Sequence, residues 1–218
     1  MKRMIIGLGV IILSIYPLRA YAGAPLETVQ ANVDRVLDVL RDPLLKEESA
    51  TGAKKAKIES IAEDMFDFTY LSKRTLSKNW LRFNPEERKE FVKLYRTILE
   101  NAYMGRILEY TDEKIVFEKE ILTSEDKAEV QSRILTDATD IPIDYRMILQ
   151  DETWKVYDVI IEGVSMIKNY RTQFKEILIK KTPEELLKIL REKTEDDEKN
   201  KNDKIDHDTI NVSGKRYK

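Results

Sequence analysis

Any chemistry in this chain has to be carried by oxygen atoms and fixed cations. There is no cysteine, and the single histidine, His207, sits in a highly charged C-terminal stretch. Outside that stretch a Ser-His-Asp or Cys-His nucleophilic site cannot be assembled, and the usual nitrogen and sulfur ligands of zinc are missing. Carboxylates and tyrosines remain, with Asp158, Glu162 and Tyr145 as examples. Acids beside a strand end more often close turns or cap neighbouring segments. The C-terminal acids lack the spacing and glycine of an EF-hand loop. Gly7-x-Gly9 lies within an N-terminal apolar run and has no bearing on nucleotides. The expectation is a protein that is not an enzyme and uses no metal or cofactor.

The aromatic positions offer binding rather than catalysis. Trp80, Phe91, Tyr95, Tyr103, Tyr145, Trp154 and Tyr170 suit either a packed core or the lining of a ligand site. Composition leaves both readings open.

The elements that must position these residues follow from periodicity. Val29, Val33, Val36, Leu37 and Leu40 recur at helical spacing, and Ile58, Ile61, Ala62 and Met65 do so after Thr51. Asn84-Pro85-Glu86-Glu87 is a helix start with a capping acid. Its helix carries Phe91, Leu94, Tyr95, Ile98, Leu99 and Ala102 on one stripe. The period then switches to two: Ile115–Phe117, Val130–Ile134, Ile141–Leu149 and Trp154–Ile161 read as strands joined by short polar connections. Gly163 ends the last strand, Ser165 is placed to cap a helix, and Thr182-Pro183-Glu184-Glu185 opens a closing one. Helices, an antiparallel meander and helices again predict an α+β fold, a curved sheet of about four strands covered by helices.

The ends of the chain differ in kind. Met1-Lys2-Arg3, an apolar run from Met4 to Ile15 and Ala20-Tyr21-Ala22 have the pattern of a secretory signal peptide over 1–22. The run is shorter than the roughly 20 residues that cross a bilayer. Loss of Lys2, Arg3 and Arg19 takes the formal charge from −2 to −5, which gives no support for nucleic-acid binding. Without cysteine, an exported domain over 23–193 has to be held by packing alone. From Thr194 to Lys204 there is no apolar residue, so 194–218 reads as a disordered charged tail.

Asp151-Glu152-Thr153-Trp154-Lys155-Val156-Tyr157-Asp158-Val159-Ile160-Ile161-Glu162-Gly163-Val164-Ser165 resembles the Trp-x-x-x-Asp-x-x-x-Glu-Gly-Val-Ser motif of the MlaC family, the toluene-tolerance family of periplasmic phospholipid carriers. Leu76-Ser77-Lys78-Asn79-Trp80 is similar to that family's Leu-Gly-x-x-Trp segment, with Ser77 in place of the usual glycine. The helix from Glu86 and the strand from Ile141 to Arg146 resemble its next elements, and the likeness spans roughly Pro25 to Lys193.

The resemblance implies a periplasmic carrier with a lipid-sized cavity between sheet and helices, loaded with a diacyl glycerophospholipid whose headgroup faces water. Trp80, Phe91, Tyr95, Ile98, Tyr103, Val130, Ile134, Tyr145, Met147, Val164, Ser165 and Met166 are the expected lining. The implied partners are an outer-membrane lipoprotein–porin complex and an inner-membrane ABC transporter with an MCE-domain protein. Lipid shuttling between them would maintain outer-membrane asymmetry. An exported adaptor for apolar peptide segments is the competing reading, and a carboxylate enzyme the third.

Overall fold

In the computed structural model, which describes residues 24–45, 47–110, 113–137 and 139–213, helices precede and follow one antiparallel sheet. The expected signal peptide lies outside the described residues. The helices are α1 (Pro25–Arg41), α2 (Thr51–Met65), α3 (Phe68–Leu76), α4 (Pro85–Leu108), α5 (Met166–Lys180) and α6 (Pro183–Ser213).

The starts of α4, α5 and α6 are closed by side chains in the way the sequence predicts. The Asn84 side chain accepts from the Glu87 N–H at 3.0 Å, and Glu87 accepts from the Asn84 N–H at 2.8 Å. Thr182 and Glu185 form the same reciprocal pair at 3.2 and 2.8 Å. Each pair satisfies two of the N–H groups that a helix start leaves without partners. The Ser165 hydroxyl accepts from the Lys168 N–H at 3.1 Å and so starts α5. Helix α3 was not expected: its nine residues are too few for periodicity to stand out. Asp67 caps it, accepting from the Tyr70 N–H at 2.8 Å.

The sheet runs in sequence order through β1 (Lys114–Ser124), β2 (Lys127–Leu135), β3 (Asp140–Gln150), β4 (Thr153–Ile161) and β5 (Val164–Ser165). The fifth strand, two residues long, adds to the four expected. Glu162 and Gly163, at φ 50° and 79°, make the two-residue turn into it. Such a turn needs left-handed backbone at both positions, which glycine adopts without steric cost. Register shifts at Phe117/Lys119, Leu122/Ser124 and Arg146/Met147 mark bulges, which bend the strands.

Helix α6 corrects the boundary expected at Thr194. It continues to Ser213, with Thr194 buried and its hydroxyl donating to the Arg191 carbonyl at 2.8 Å. The segment is too polar to form a core, yet no glycine or proline interrupts Glu184 to Ser213, and lysine and glutamate are good helix formers. Polarity was the signal for a missing core and said nothing against helix. Residues 214–218 of the expected tail lie outside the described residues.

Candidate functional site

Two separate clusters make up the interior. One joins α3, α4, α5 and α6 around Phe83, Phe91, Tyr95 and Phe174; the other joins α1 to the sheet around Val29, Val130, Tyr145 and Met147. Phe66 and Val159 pack against both and form the seam.

The second cluster can be read row by row, because directly paired residues of an antiparallel sheet point to the same face. Leu122, Ala128, Met147 and Val156 form one row, and Glu120, Val130, Tyr145 and Val159 the next. Phe117, Ser132, Ile143 and Ile161 follow, and Ile115, Ile134 and Ile141 make the outermost row. Helix α1 covers this face. At its start the Leu26 N–H donates to the Glu120 carboxylate at 2.9 Å. At its end the Arg41 guanidinium donates to the Tyr110 hydroxyl at 2.9 Å, and that hydroxyl donates to the Glu113 carbonyl. Leu26 to Arg41 spans about 22 Å of helix and Glu113 to Glu120 about 23 Å of strand. Helix α1 therefore runs antiparallel to β1 along most of its length.

Burial changes along that contact. Under the start of α1, Val29, Val130, Met147 and Val156 are 0% exposed and Ala128 is 2% exposed. Toward the other end, Ile115, Phe117, Ile134, Ile141, Ile143 and Ile161 on the sheet are all half-buried. So are Val33, Val36, Leu37 and Leu40 on the helix. Burial of both the α1 stripe and the sheet rows thus falls from Val29 toward Leu40, the open end of the contact, where apolar side chains on each stay in partial contact with solvent. The end of α4 brings half-buried Ile107 and Leu108 toward the same region, since Tyr110, which accepts from Arg41, follows directly.

The expected lining residues distribute unevenly over this arrangement. Ile134 lies at the open end, whereas Tyr103 packs against the helical cluster. Val130, Tyr145 and Met147 lie in the closed part beneath α1. Burial pushes the Tyr145 hydroxyl up to about 12, with the Ser132 hydroxyl as its hydrogen-bonding neighbour. Phe91, Tyr95 and Ile98 belong to the helical cluster, where Tyr95 meets Phe91, Phe174 and Tyr170 at ring-centroid distances of 5.5, 5.3 and 5.1 Å. Burial there holds the Tyr95 hydroxyl well above its usual value. Trp80 is half-buried under the Arg88 guanidinium, 5.3 Å from the ring centroid. Met166 is in the helical cluster, and Val164 is exposed on β5. Sequence reasoning had missed Val33, Val36, Leu37, Leu40, Phe117, Ile143 and Ile161 as site candidates. Their elements were predicted, but the strand register that aligns them had no signal in one sequence.

The Trp-to-Ser motif has a structural task. Asp158, 2% exposed, accepts from the Ser165 hydroxyl at 2.7 Å and from the Ile167 N–H at 3.0 Å, with Arg146 at 3.4 Å. Strand β4, the Glu162-Gly163 turn and the start of α5 are thereby locked into one unit. Glu129 and Asp158 flank Arg146, and Glu118 and Asp140 flank Arg133, on the sheet face opposite the apolar rows. Among the described residues no group of three or more histidine, cysteine or acidic residues is placed to hold a metal ion. No described helix is long and apolar enough to cross a membrane.

Comparison with known proteins bears on the same segments. A curated relative, a toluene tolerance protein (Ttg2D) from Pseudomonas putida, is 23% identical over 171 residues, covering 77% of this chain and 80% of its own length. The fold matches a phospholipid-binding protein from Ralstonia solanacearum, solved in complex with a phospholipid. The TM-score is 0.71 and the identity 21%, over 80% of this chain and 99% of that one. The sequence profile of the MlaC protein family matches residues 30–192, from within α1 to within α6, and the chain belongs to that family.

Proposed function

We propose that the protein binds a diacyl glycerophospholipid, with the acyl chains between the second half of α1 and the outer rows of the sheet. The observation that carries the reading is the fall in burial along the α1–sheet contact: Val33, Val36, Leu37 and Leu40 on the helix and Phe117, Ile134, Ile141, Ile143 and Ile161 on the sheet are all half-buried, and Val33, Phe117 and Ile143 pack against the same closed cluster. Apolar surface left partly wet on two opposed walls is the arrangement expected of a mostly preformed lipid site. The phospholipid held by the Ralstonia protein, which shares this fold, supports the choice of ligand. Ile134, Val130, Tyr145 and Met147 belong to the proposed walls or their floor, and Tyr103 packs with the helical cluster. Phe91, Tyr95, Ile98, Trp80 and Met166 serve as the scaffold that holds α4 and α5 in place.

Binding of this kind requires no catalytic group. Family membership supports a carrier working in the periplasm after removal of residues 1–22, between an outer-membrane lipoprotein–porin complex and an inner-membrane ABC transporter with an MCE-domain protein. The test is native mass spectrometry of the chain from Gly23, purified gently and after incubation with phospholipid vesicles. A bound species of diacyl phospholipid mass, near one per chain, is expected. Protein that is ligand-free as isolated and cannot be loaded from vesicles would overturn the proposal.

A further inference from the structure

The open end of the apolar contact finishes on a cation held in a fixed position. Arg41 is the last residue of α1, directly after Leu40, and its guanidinium both donates to the Tyr110 hydroxyl at 2.9 Å and lies 5.8 Å from that ring's centroid. Tyr110 is itself tied down, its hydroxyl donating to the Glu113 carbonyl one residue before β1. Five arginines of the domain are neutralised by acids: Arg35 by Asp64, Arg96 by Glu63 and Glu100, Arg133 by Glu118, Arg146 by Glu129, and Arg191 by Glu90. Arg82, Arg88 and Arg171 donate to backbone carbonyls, and Arg74 lies over the Tyr157 ring, all of them away from this end of α1. Arg41 forms no ion pair with a carboxylate among the described residues, although Asp42 is its chain neighbour. Asp42 instead accepts from the Leu44 N–H at 2.9 Å and pairs with Lys57 at 3.7 Å. Arg106, one turn before Tyr110, and Lys114, at the start of β1, add two exposed cations at the same end.

We propose that Arg41, braced by Tyr110, contacts the phosphodiester of the bound lipid. This rests on the acyl-chain site described above. With the chains between α1 and the outer rows, the first polar group of the lipid must fall where the apolar stripe stops, because burying an unpaired charge is costly. The stripe stops at Leu40. A guanidinium offers several N–H donors in a planar fork, so it keeps donors for a phosphate while one serves Tyr110. Recognition at the phosphodiester reads the charge common to all glycerophospholipids and ignores the substituent beyond it. The chain should therefore accept ethanolamine, glycerol and choline headgroups alike, and should discriminate against diacylglycerol, which has the same chains and no phosphate.

The experiment loads the chain from Gly23, as wild type, Arg41→Gln, Arg41→Lys and Tyr110→Phe, from vesicles that mix phosphatidylglycerol with diacylglycerol of matched chains. Bound lipid is counted by native mass spectrometry. Dividing each variant's phospholipid-to-diacylglycerol ratio by that of wild type cancels the different tendencies of the two lipids to leave the bilayer. A charge-assisted hydrogen bond corresponds to a preference of roughly ten- to a hundredfold. Arg41→Gln should lose most of it with diacylglycerol uptake unchanged, Arg41→Lys should retain part, and Tyr110→Phe should fall between Gln and wild type.

An Arg41→Gln ratio equal to wild type overturns the proposal and leaves the acyl-chain site standing. So does equal loss of both lipids, which would make Arg41 a structural brace. Wild type that takes up neither lipid overturns the acyl-chain site itself.

Discussion

Ile143 and Met147 lie on one face of β3, two rows apart, so one substitution made at both can separate the closed part of the α1 contact from the open part. Met147 is 0% exposed and is flanked in its row by Ala128 and Val156, exposed by 2% and 0%. A tryptophan there has no space to enter, and Met147→Trp should cost about 1–3 kcal/mol through overpacking, toward the upper figure because every flanking residue is already buried. Ile143 is flanked by Ser132 and Ile161 and is half-buried, so Ile143→Trp can extend toward α1 at a cost below about 1 kcal/mol. In the lipid-bound protein the same ring takes the place of acyl chain. Displacing three methylenes at about 0.8 kcal/mol each removes about 2.5 kcal/mol of lipid affinity, roughly 60-fold. Urea unfolding of the delipidated proteins measures the first quantity, and lipid occupancy after exposure to vesicles measures the second. If Ile143→Trp loses as much stability as Met147→Trp and still loads fully, the outer rows are ordinary core and the site has been misplaced.

Two further predictions concern the scaffold. Ser77 sits at φ 53°, where a β-carbon is strained; Ser77→Gly should raise stability by up to about 1 kcal/mol after the entropic cost of glycine, seen as a higher urea midpoint, and an unchanged or lower midpoint would contradict it. Burial raises the Tyr145 hydroxyl from 10.0 to about 12, so the folded state holds that proton more tightly than the unfolded state. The resulting stability is fully present below pH 10 and is lost as pH rises toward 12, about 3 kcal/mol in all. Tyr145→Phe should unfold with a shallower alkaline dependence than wild type across that window, and identical slopes would place the titration elsewhere.

What the sequence discloses here depends on how local the physics is. Asn84 with Glu87 and Thr182 with Glu185 are three residues apart, and their reciprocal hydrogen bonds could be foreseen from residue types alone. Alternation marked the four long strands. The division of Tyr95 and Tyr145 between two clusters could not be foreseen, because it depends on which strand row meets which helix face. Both are large, aromatic and periodic, and nothing in their own neighbourhoods says that one packs among helices and the other under α1. The Asp158–Ser165 contact shows the opposite situation: the motif was visible as a family signature, and only the geometry reveals that it joins β4 to α5.

The energetics of a carrier explain why such a protein would combine a tight cluster with an open one. Two acyl chains bring some thirty methylenes out of water, more than about 20 kcal/mol at 0.8 kcal/mol each. A bilayer offers nearly the same, so a useful carrier has to hold lipid with an affinity close to that of the membrane. A site that closed on the chains as completely as Val29 closes on Val130 and Met147 would need its core taken apart for each exchange. Walls that stay half-buried without ligand avoid that cost, but they contribute little to their own stability. The domain has no disulfide to compensate, and the burden falls on the Phe91–Tyr95–Phe174 cluster and on the Asp158 lock between β4 and α5. With the lipid at the proposed site, stability and lipid exchange would fall in different halves of the fold, so that the walls could be matched to a lipid without setting whether the chain folds.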